Sequence, residues 1–508
     1  MKPFYITTPI YYASGDPHIG HAYTNLMADI TARYYRMTGR EVRFLTGTDE
    51  HGMKVKRVAE AEGMEPQAYV DEKAARFREL ADAWNITNDD FIRTTERRHR
   101  QSVEAFWKAV NANGFLYKKS YRGLYCVGCE SYKTEKDLVG GKCPDHDAAP
   151  EMLEEENYFF KLSAFADRLK TVFAENPEFV TPQDHRNEMV KILERGLEDI
   201  SVSRSTKQLT WGIPVPGDDG QVLYVWFDAL VNYISAIGYA RGKEDAMHLY
   251  WPADIHFVGK EINRFHSLLW PAMLMAAGLE VPRQIAVHGW ITVDGKKMSK
   301  TIGNVLDPFD LTEKYSLEPV RYFMAREIPM HRDGDFSHKR FEERYNNDLA
   351  NELGNLLHRA VAMTERYLDG VVPEETAFDV TKRWTQYRAK MEALRFDDAL
   401  TATWKLVQAM NKFIDEKEPW KLGKLDDQRP VSEVLYVLLE SLRHVAWMLL
   451  PFMPGTAMRI FESIGTSFIE QAPLALADAT KWGGLKSGSI VKRTEPLFPR
   501  IEVKKENK

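Results

Sequence analysis

Cysteine is scarce in this chain, with three residues among 508. So few thiols exclude a disulfide-stapled scaffold and are typical of a protein that stays in a reducing compartment. A long uninterrupted apolar run is also missing, because the most hydrophobic stretch contains Glu440 and Arg443. Charged residues inside that stretch predict a buried helix rather than a membrane span, so no membrane association is expected.

A strong excess of one charge, an internal repeat and a targeting leader are absent as well. The formal net charge is −6. It neither favours nor excludes a nucleic-acid partner, since RNA binding needs a local basic surface rather than a basic total. No Arg-rich amphipathic or apolar leader opens the chain, so we expect a cytoplasmic protein. The length predicts roughly three or four domains.

Strand-like and helical segments alternate from residue 3 to about 110, which predicts βαβ units around a parallel sheet. Residues from 116 to about 150 interrupt the alternation with Cys, Gly and Pro, and a mixed segment continues to about 225. The α/β pattern then resumes, and from 341 onward the periodicity is helical. The expected fold class is therefore α/β: a Rossmann-like parallel-sheet domain, split by an insertion and followed by an α-helical bundle.

Polar side chains follow each predicted strand of the parallel sheet. "PIYYASGDPHIGH" follows the first strand, "GTDEHG" the second, "KEINRFH" the strand "IHFVG", and "HGWITVDGKKMSK" the strand "IAV". Ligands bind beyond the carboxyl ends of strands in open parallel sheets. Strand ends that all carry His, Lys or carboxylate groups therefore favour a functional cleft at this edge.

His18 and His21 stand at the start of the first helix, after a Gly/Pro-rich loop. They share a helix face and could ligate a metal, but no acidic or Cys partner lies at helical spacing. A phosphate site fits better, because the free N–H groups and the dipole of a helix N-terminus attract anions and the imidazoles add donors. Gly20, without a side chain, would let a flat base approach the backbone.

The run "KKMSKT", from Lys296 to Thr301, is a second basic cluster and follows "VDG" in a loop. Its simplest interpretation is a solvated turn. Paired with an anion site at the opposite strand end, its ammonium groups could instead neutralise a leaving pyrophosphate.

The cysteines and one histidine have the spacing of a zinc knuckle, C-x2-C-x13-C-x2-H. Three thiolates and an imidazole make a closed tetrahedral site, which is structural rather than catalytic. We therefore expect one structural Zn²⁺ in the insertion. Asp145 and His185 are weaker candidates for the fourth ligand, and a metal-free loop with buried thiols is the alternative. The expected ligands are Cys126, Cys129, Cys143 and His146.

"HIGH" and "KMSK", bracketing a split nucleotide-binding domain with helices behind it, resemble the signature of the class I aminoacyl-tRNA synthetases. Further stretches resemble the methionyl branch of that family: "TTPIYYASGDPHIGH", "GTDEHG", "YVWFDALVNYI", "GKEINRFHSLLWPAML" and "HGWITVDGKKMSKTIGN". The likeness runs from Pro3 to "LFPRIE" near residue 502. Thr301 stands where the family motif KMSKS ends in serine, and it keeps the hydroxyl.

The resemblance implies an ATP-dependent methionine–tRNA ligase. Such an enzyme converts L-methionine and Mg-ATP to methionyl-adenylate and pyrophosphate, and then transfers the methionyl group to the 3′-terminal adenosine of initiator and elongator tRNA-Met. The resemblance implies that His18 and His21 contact ATP phosphates in the transition state. Lys297 and Lys300 would stabilise the pyrophosphate and complete the catalytic set. The ATP-binding residues implied are His18, Gly20, His21, Glu261, His288, Gly289, Lys297 and Lys300.

For the amino acid, the resemblance implies Asp49 as the partner of the substrate ammonium, beside a mostly apolar, aromatic slot. A thioether sulfur is polarisable and packs well on aromatic edges. Leu230 stands where some relatives carry proline, so that one contact differs. The methionine-binding residues implied are Pro9, Ile10, Tyr12, Asp49, Trp226, Ala229, Leu230, Tyr233, Ile262 and His266.

The helical region resembles the anticodon-binding bundle of the family. Asn355 and Arg359 share a helix face at i,i+4, and Trp420 could stack on an unpaired base; the alternative is that these are ordinary surface residues. The chain stops soon after "LFPRIE", without the appended domain through which some relatives dimerise, so we expect a monomer.

The resemblance also divides the chain into segments. The two halves of the catalytic domain are residues 1–115 and 226–293, and the insertion between them is 116–225, with a zinc knuckle at 126–146. The KMSK loop and stem-contact region follows at 294–340. The anticodon-binding domain is 341–480, and 481–508 is a tail that packs back on the body.

Other functions remain open at this stage. Synthetases for isoleucine, valine or leucine carry a larger editing insertion, and cysteine enzymes hold zinc in the catalytic pocket. A HIGH-containing nucleotidyltransferase would not need the helical domain. A non-catalytic RNA-binding descendant would not need intact His18, His21, Asp49, Lys297 and Lys300.

Overall fold

The structure is a computed structural model that describes residues 2–133, 135–144, 147–298, 304–467 and 476–502. The chain divides into two compact units. The first comprises residues 1–28 and 41–288, and the second residues 29–40 and 289–508.

A parallel sheet forms the centre of the first unit. Its strands are almost completely buried, and an uninterrupted apolar pattern is typical of parallel strands covered on both faces. In spatial order, the strands in the described part of this unit are Asp90–Arg93, Val42–Asp49, Phe4–Tyr12, Ile255–Gly259, Ile285–His288 and Val180–Thr181.

The strand order reverses beside Phe4–Tyr12. The chain continues from this strand to Val42–Asp49 on one side, whereas Ile255–Gly259 pairs with its other side. Such a topological switch opens a crevice at the carboxyl ends of the two central strands. The pairing also places Tyr12 opposite Asp49, so both reach the same sheet edge.

Helices connect and cover these strands. The first, Ile19–Met37, contributes its last residues to the second unit. The other described α-helices of the first unit are Met53–Ala61, Pro66–Ala83, Arg97–Ala112, Ala166–Glu175, Gln183–Arg195, Val225–Leu230, Asn232–Ser235, Met247–Tyr250 and Trp270–Ala276. Shorter helical turns are Glu135–Asp137, Leu162–Phe165, Gly242–Glu244, Lys260–Ile262 and the π-helical Phe265–Leu269.

Antiparallel strands fill much of the segment between the two halves of the sheet. One described antiparallel sheet has the order Ser131–Lys133, Leu116–Cys126, Glu151–Phe160 and Ile200–Ser201. A smaller one has the order Pro214–Val215, Asp218–Leu223 and Ser203–Ser205. The edge strand Val180–Thr181 comes from the same segment but pairs in parallel with Ile285–His288.

The second unit is mainly helical. A small sheet of Lys296–Lys297, Ile291–Val293 and Gly334–Phe336 lies in its described N-terminal part. The described helices are Pro308–Tyr315, Leu317–Glu327, His338–Arg344, the π-helical Tyr345–Gly354, Asn355–Leu368, Thr381–Glu392, Phe396–Lys417, Pro419–Leu422, Arg429–Leu449, Pro454–Ser463 and Leu476–Ala479.

Helix Arg429–Leu449 forms the core of the second unit and contains the most apolar stretch of the chain. Glu440 and Arg443 are completely buried in it as an ion pair at 2.6 Å, so the prediction of a buried helix is confirmed. No helix in the described ranges combines the length and the apolar character needed to cross a membrane. The predicted α/β fold class with a C-terminal helical domain is likewise confirmed.

Candidate active site and metal centre

The two histidines of "HIGH" lie at the N-terminus of helix Ile19–Met37. The backbone N–H of His18 donates to Nδ1 of His21 at 3.1 Å, and the N–H of Gly20 donates to Nδ1 of His18 at 3.1 Å. The two rings stack with 3.8 Å between their centroids. Because Nδ1 accepts in both rings, a neutral imidazole here carries its proton on Nε2 and presents an Nε2–H donor.

This geometry changes the expected anion site in one respect. The N–H groups of His18 and Gly20 donate to imidazoles, so the ring donors take over part of the role predicted for the helix N-terminus. Burial lowers the pKa of His21 well below its usual value, and His18 and Lys54 lower it further. His21 is therefore a neutral hydrogen-bond donor. A Cβ at Gly20 would approach the His18 ring to 2.9 Å, so glycine keeps this pair stacked.

His288 and Glu261 lie at the carboxyl ends of two neighbouring strands. The Thr24 hydroxyl donates its proton to the carbonyl of Gly20. Its oxygen therefore accepts from Nε2 of His288, which lies 2.8 Å away. This links the "HIGH" helix to the end of strand Ile285–His288. Glu261 is exposed on the turn after strand Ile255–Gly259. A Cβ at Gly259 would lie within 2.9 Å of the Glu261 carboxylate, so a larger residue there would displace this carboxylate.

Asp49 ends the strand Val42–Asp49 and is 4% exposed. Its Oδ1 is buried and has no hydrogen-bond partner among the described residues. The same is true of the hydroxyl of Tyr12, which lies opposite Asp49. Burial raises the pKa of Asp49 well above its usual value, and the carboxylates of Asp228, Glu130 and Glu50 raise it further. A buried carboxylate of this kind is poised to accept a cation, whose charge would allow it to ionise.

A hydrogen-bonded chain lies beside this carboxylate. Nδ1 of His266 lies 3.0 Å from the carbonyl of Ile262 and therefore carries the proton, which leaves Nε2 to accept from the Tyr233 hydroxyl at 2.7 Å. Burial lowers the pKa of His266 to about 4, so the ring is neutral at physiological pH. The Tyr233 proton is thus directed at His266, and the phenol oxygen can accept a further contact.

Aromatic rings enclose the same region. Trp226 stacks on Phe265 with centroids 3.8 Å apart and an interplanar angle of 3°, and its edge meets Tyr12 at 6.1 Å. The indole Nε1 of Trp226 is buried without a partner among the described residues. Together with Asp49 and Tyr12 it leaves unpaired polar atoms around an aromatic slot, as a small zwitterion requires.

The remaining predicted pocket residues lie on the same elements. Pro9 is buried and Ile10 partly buried near the end of the first strand, while Ala229 and Leu230 are buried on helix Val225–Leu230. Ile10 and Leu230 belong to the same apolar cluster as Trp226.

Sequence reasoning missed a buried network behind this pocket. Asp228 accepts from Nδ1 of His51 at 2.6 Å and from Nε2 of His99 at 2.7 Å. Glu130 accepts from the backbone N–H of Lys54. His51 and Asp228 were visible in the motifs "GTDEHG" and "YVWFDALVNYI". Nothing in the sequence indicated that they contact each other across the fold.

The three cysteines come together in the first unit. Their Sγ atoms lie within 4.8 Å of one another, and Cys126 and Cys143 are buried. Thiol sulfurs gathered at this spacing without a disulfide fit a tetrahedral metal ion. His185 does not belong to this group of ligand atoms, and its ring lies 3.4 Å from Glu188 instead. The predicted fourth ligand His146, like Asp145, lies outside the described residues.

The predicted lysine loop belongs to the second unit. Lys297 is described as part of the strand Lys296–Lys297, whereas Lys300 and Thr301 lie outside the described residues. Gly289 is also in this unit. A Cβ there would approach the backbone of Arg332 and Asp333 to 2.5 Å, which only glycine avoids.

The predicted anticodon residues all lie on helices of the second unit. Asn355 is exposed, Trp420 is 38% exposed, and Arg359 pairs with Asp415 at 2.8 Å. Asn355 also borders a cavity of about 320 Å³ between its helix and the C-terminal segment. Three cationic residues of that segment line it as well: Lys492, Arg493 and Arg500.

Comparison with known families decides what this architecture is. The family "tRNA synthetases class I (M)" matches residues 4–149 and 145–361, and the "Anticodon binding domain of methionyl tRNA ligase" matches residues 369–508. The chain belongs to the methionyl-tRNA synthetase family. The resemblance seen in the sequence is therefore confirmed.

Relatives of the methionyl-tRNA synthetase family match over nearly the whole chain. The Methionine–tRNA ligase of Caldanaerobacter subterraneus subsp. tengcongensis is 47% identical over 99% of this chain and 80% of its own length. That of Thermotoga maritima is 45% identical over 99% and 81%. The solved structure of Mycobacterium tuberculosis methionyl-tRNA synthetase in complex with methionyl-adenylate matches with a TM-score of 0.93 and 37% identity, over 98% of this chain and all of that one.

Proposed function

We propose that this chain is a methionine–tRNA ligase. It activates L-methionine with Mg-ATP to methionyl-adenylate and then transfers the methionyl group to the 3′-terminal adenosine of initiator and elongator tRNA-Met. One observation carries the proposal. The buried carboxylate of Asp49, whose Oδ1 has no partner among the described residues, an aromatic slot and the stacked "HIGH" histidines all lie at the carboxyl ends of the strands in the first unit.

In the amino-acid site, the substrate ammonium pairs with Asp49 and lets that carboxylate ionise. The side chain enters the slot formed by Trp226 and its neighbours, with Tyr233 and His266 addressing the sulfur. Because His266 is neutral, these groups offer hydrogen-bonding dipoles rather than a charge, which suits an uncharged thioether. The other contacts proposed are Pro9, Ile10, Tyr12, Ala229, Leu230 and Ile262.

In the activation step, a carboxylate oxygen of methionine forms a bond to the α-phosphorus of ATP. The bond from that phosphorus to the α,β-bridging oxygen breaks, and pyrophosphate leaves. Such a reaction depends on positioning and on donors aimed at developing charge. The Nε2–H groups of His18 and His21 supply donors at a helix N-terminus, where the dipole also favours phosphate.

The family match supports the other nucleotide contacts that we propose. Gly20 lies beside the adenine, and Glu261 holds a ribose hydroxyl. Mg²⁺ arrives with ATP and neutralises phosphate charge. His288, Gly289, Lys297 and Lys300 complete the proposed set.

The cysteine cluster holds one structural Zn²⁺, with His146 as fourth ligand. The thiolates and the imidazole would hold the ion, which would supply a structural cross-link to this loop. Zinc analysis of the purified protein tests this: one equivalent is expected, and none after metal-free purification with unchanged folding would contradict it.

The helical unit binds the anticodon. Trp420 offers a partly exposed ring for stacking, and Asn355 and Arg359 offer polar edges on one helix face. The cationic residues beside Asn355 support an RNA partner, since phosphates need local positive charge. The enzyme is proposed to act in the cytoplasm, which its free thiols favour. It is also proposed to be a monomer, and sedimentation at micromolar concentration tests the oligomeric state.

Pyrophosphate exchange against a panel of amino acids tests the activity, followed by charging of both tRNA-Met species. We expect methionine to drive exchange best and both tRNAs to be charged. Faster exchange with another amino acid would contradict the assignment, and exchange without charging would favour a nucleotidyltransferase instead.

A further inference from the structure

The carboxylate of Asp228 lies behind the amino-acid pocket and is 1% exposed. It belongs to helix Val225–Leu230, which also carries Trp226 and Ala229 of the proposed methionine site. Each of its two oxygens accepts one hydrogen bond from an imidazole: Oδ2 from His51 at 2.6 Å and Oδ1 from His99 at 2.7 Å. Both ring nitrogens must carry protons, because a carboxylate can only accept.

His51 joins this carboxylate to the ammonium-binding side of the pocket. It follows Asp49 by two residues. Its backbone N–H lowers the pKa of the Asp49 carboxyl, while its ring donates to Asp228. The ring lies against Trp211 with 5.5 Å between centroids. A single residue therefore bonds to Asp228 through its side chain and acts on the charge of Asp49 through its backbone.

His99 joins Asp228 to the opposite wall. It belongs to helix Arg97–Ala112, and its Nδ1 lies 2.8 Å from the hydroxyl of Ser235. Ser235 ends the short helix Asn232–Ser235, which carries Tyr233. Asp228 thus connects the three elements that present Asp49, Trp226 and Tyr233.

The charge of Asp228 acts on Asp49 as well. Burial alone would raise the pKa of Asp228, but the two imidazoles outweigh it and lower the pKa to about 2, so Asp228 stays ionised. After burial itself, Asp228 is the largest cause that raises the pKa of Asp49. The other groups facing Asp49 are Glu130, Glu50, the phenol of Tyr12 and the backbone N–H of His51.

We propose that Asp228 is the positioning residue of the amino-acid site: by accepting from His51 and His99 it fixes the walls of the methionine pocket, and its negative charge increases the preference of Asp49 for an ammonium ligand. This inference rests on the proposed function and deepens it. Asp228 does not touch the substrate and acts through its two histidines and through Asp49.

The test is Asp228→Asn, with Asp254→Asn as the matched control. Asp254 is also a buried aspartate of the first unit, but it accepts from the backbone of Tyr5 away from the pocket. Pyrophosphate exchange is measured across a pH range with methionine and ATP each varied. For Asp228→Asn we expect the KM for methionine to rise about tenfold while that for ATP changes little. The acid limb of kcat/KM for methionine should move to lower pH, because Asp49 loses a negative neighbour.

A second variant keeps the test decisive if Asp228→Asn does not fold. His99→Gln retains an N–H donor but removes the imidazole that offsets the charge of Asp228. The acid limb of kcat/KM for methionine should then move to higher pH, opposite to its shift in Asp228→Asn. Loss of packing alone would not predict this shift.

The failure of this proposal can be told apart from failure of the proposed function. Without methionine-dependent exchange in the unaltered protein, the function itself is wrong. With exchange present, two results would overturn the role of Asp228. One is an Asp228→Asn profile matching that of Asp254→Asn, and the other is an unmoved acid limb in a folded His99→Gln.

Discussion

Two buried carboxylates, one in each unit, show how differently the same chemical group is used. Asp49 in the first unit leaves Oδ1 without a partner among the described residues, and its pKa is raised well above the usual value, first by burial. Glu440 in the second unit is completely buried but pairs with Arg443 and accepts from three backbone N–H groups at 2.9 to 3.0 Å. Asp49 therefore lacks a cationic partner in the described part of the chain, whereas Glu440 already has a cation and three N–H donors.

The satisfied carboxylate holds the C-terminal segment in place. The donors to Glu440 are the N–H groups of Gly483, Gly484 and Leu485. Burial alone would raise the pKa of Glu440, but His444 and Arg443 outweigh it and lower the pKa to about 2. A Cβ at Gly484 would approach the Arg443 guanidinium carbon to 2.5 Å, so glycine is needed at this point.

The comparison separates a structural charge from a functional one. A buried ionised group stabilises a fold only when its hydrogen bonds are satisfied. An unsatisfied one destabilises the free protein, and that destabilisation is relieved when a complementary ligand binds. Changing each carboxylate to its amide should therefore give opposite results.

The largest effect is expected for Asp49→Asn. An uncharged amide cannot form an ion pair with the substrate ammonium, so methionine-dependent exchange should fall about a thousandfold, or about 4 kcal/mol. The thermal midpoint at neutral pH should hold or rise, because the raised pKa of Asp49 means that ionisation opposes folding there. Calorimetry and exchange kinetics measure both, with the exposed Asp219→Asn as control. A large loss of stability would contradict the comparison.

Glu440→Gln should produce the opposite pattern, with little direct effect on methionine activation. Breaking a buried pair leaves Arg443 uncompensated, so the free energy of unfolding should fall by about 3 kcal/mol. The pKa of Glu440 is depressed, so its stabilisation is complete above the usual value and is lost as pH falls towards 2. Denaturant unfolding at several pH values measures this, and the variant should lose that acid dependence. The control Glu433→Gln changes an exposed residue of the same helix, and it should change neither the free energy of unfolding nor its dependence on acid pH.

Trp420→Ala should have a smaller effect, and it should affect only the function assigned to the second unit. Loss of one stacked base is worth about 2 kcal/mol, so kcat/KM for tRNA should fall about thirtyfold while pyrophosphate exchange is unchanged. Leu249→Ala removes a comparably exposed apolar side chain of the first unit and should leave both activities intact. Equal loss of both activities in Trp420→Ala would indicate a folding role instead.

The smallest effect is expected for Tyr233→Phe. This change leaves Nε2 of His266 without its donor, an unmade buried hydrogen bond worth about 1 kcal/mol. The KM for methionine should rise about fivefold with an unchanged KM for ATP, measured by exchange. An unaltered methionine KM would show that the hydroxyl does not orient His266 for the substrate.

The sequence predicted the fold class and the family because their signals are local or ordered along the chain. The βα alternation, the order of "HIGH" and "KMSK" and the cysteine spacing can all be read without a partner residue. The expected donors at His18 were only partly right, since the helix N–H groups of His18 and Gly20 bond to the imidazoles. The network of Asp228 could not be predicted, because His51 and His99 each lie more than a hundred residues from Asp228 in the chain.

By itself, the sequence determined which chemical groups this protein possesses: the two histidines of "HIGH", the thiols, the acidic end of the second strand and the helical second unit. Only the tertiary structure decided which groups are satisfied and which are left for a ligand. Asp49 and Glu440 are both acidic residues next to apolar stretches. Their pKa values move in opposite directions because burial acts on both, but only at Glu440 do hydrogen-bonding and cationic partners outweigh it. Arg443 and His444 lie on the same helix as Glu440. The three backbone donors come from residues 483–485, and only folding brings them within reach.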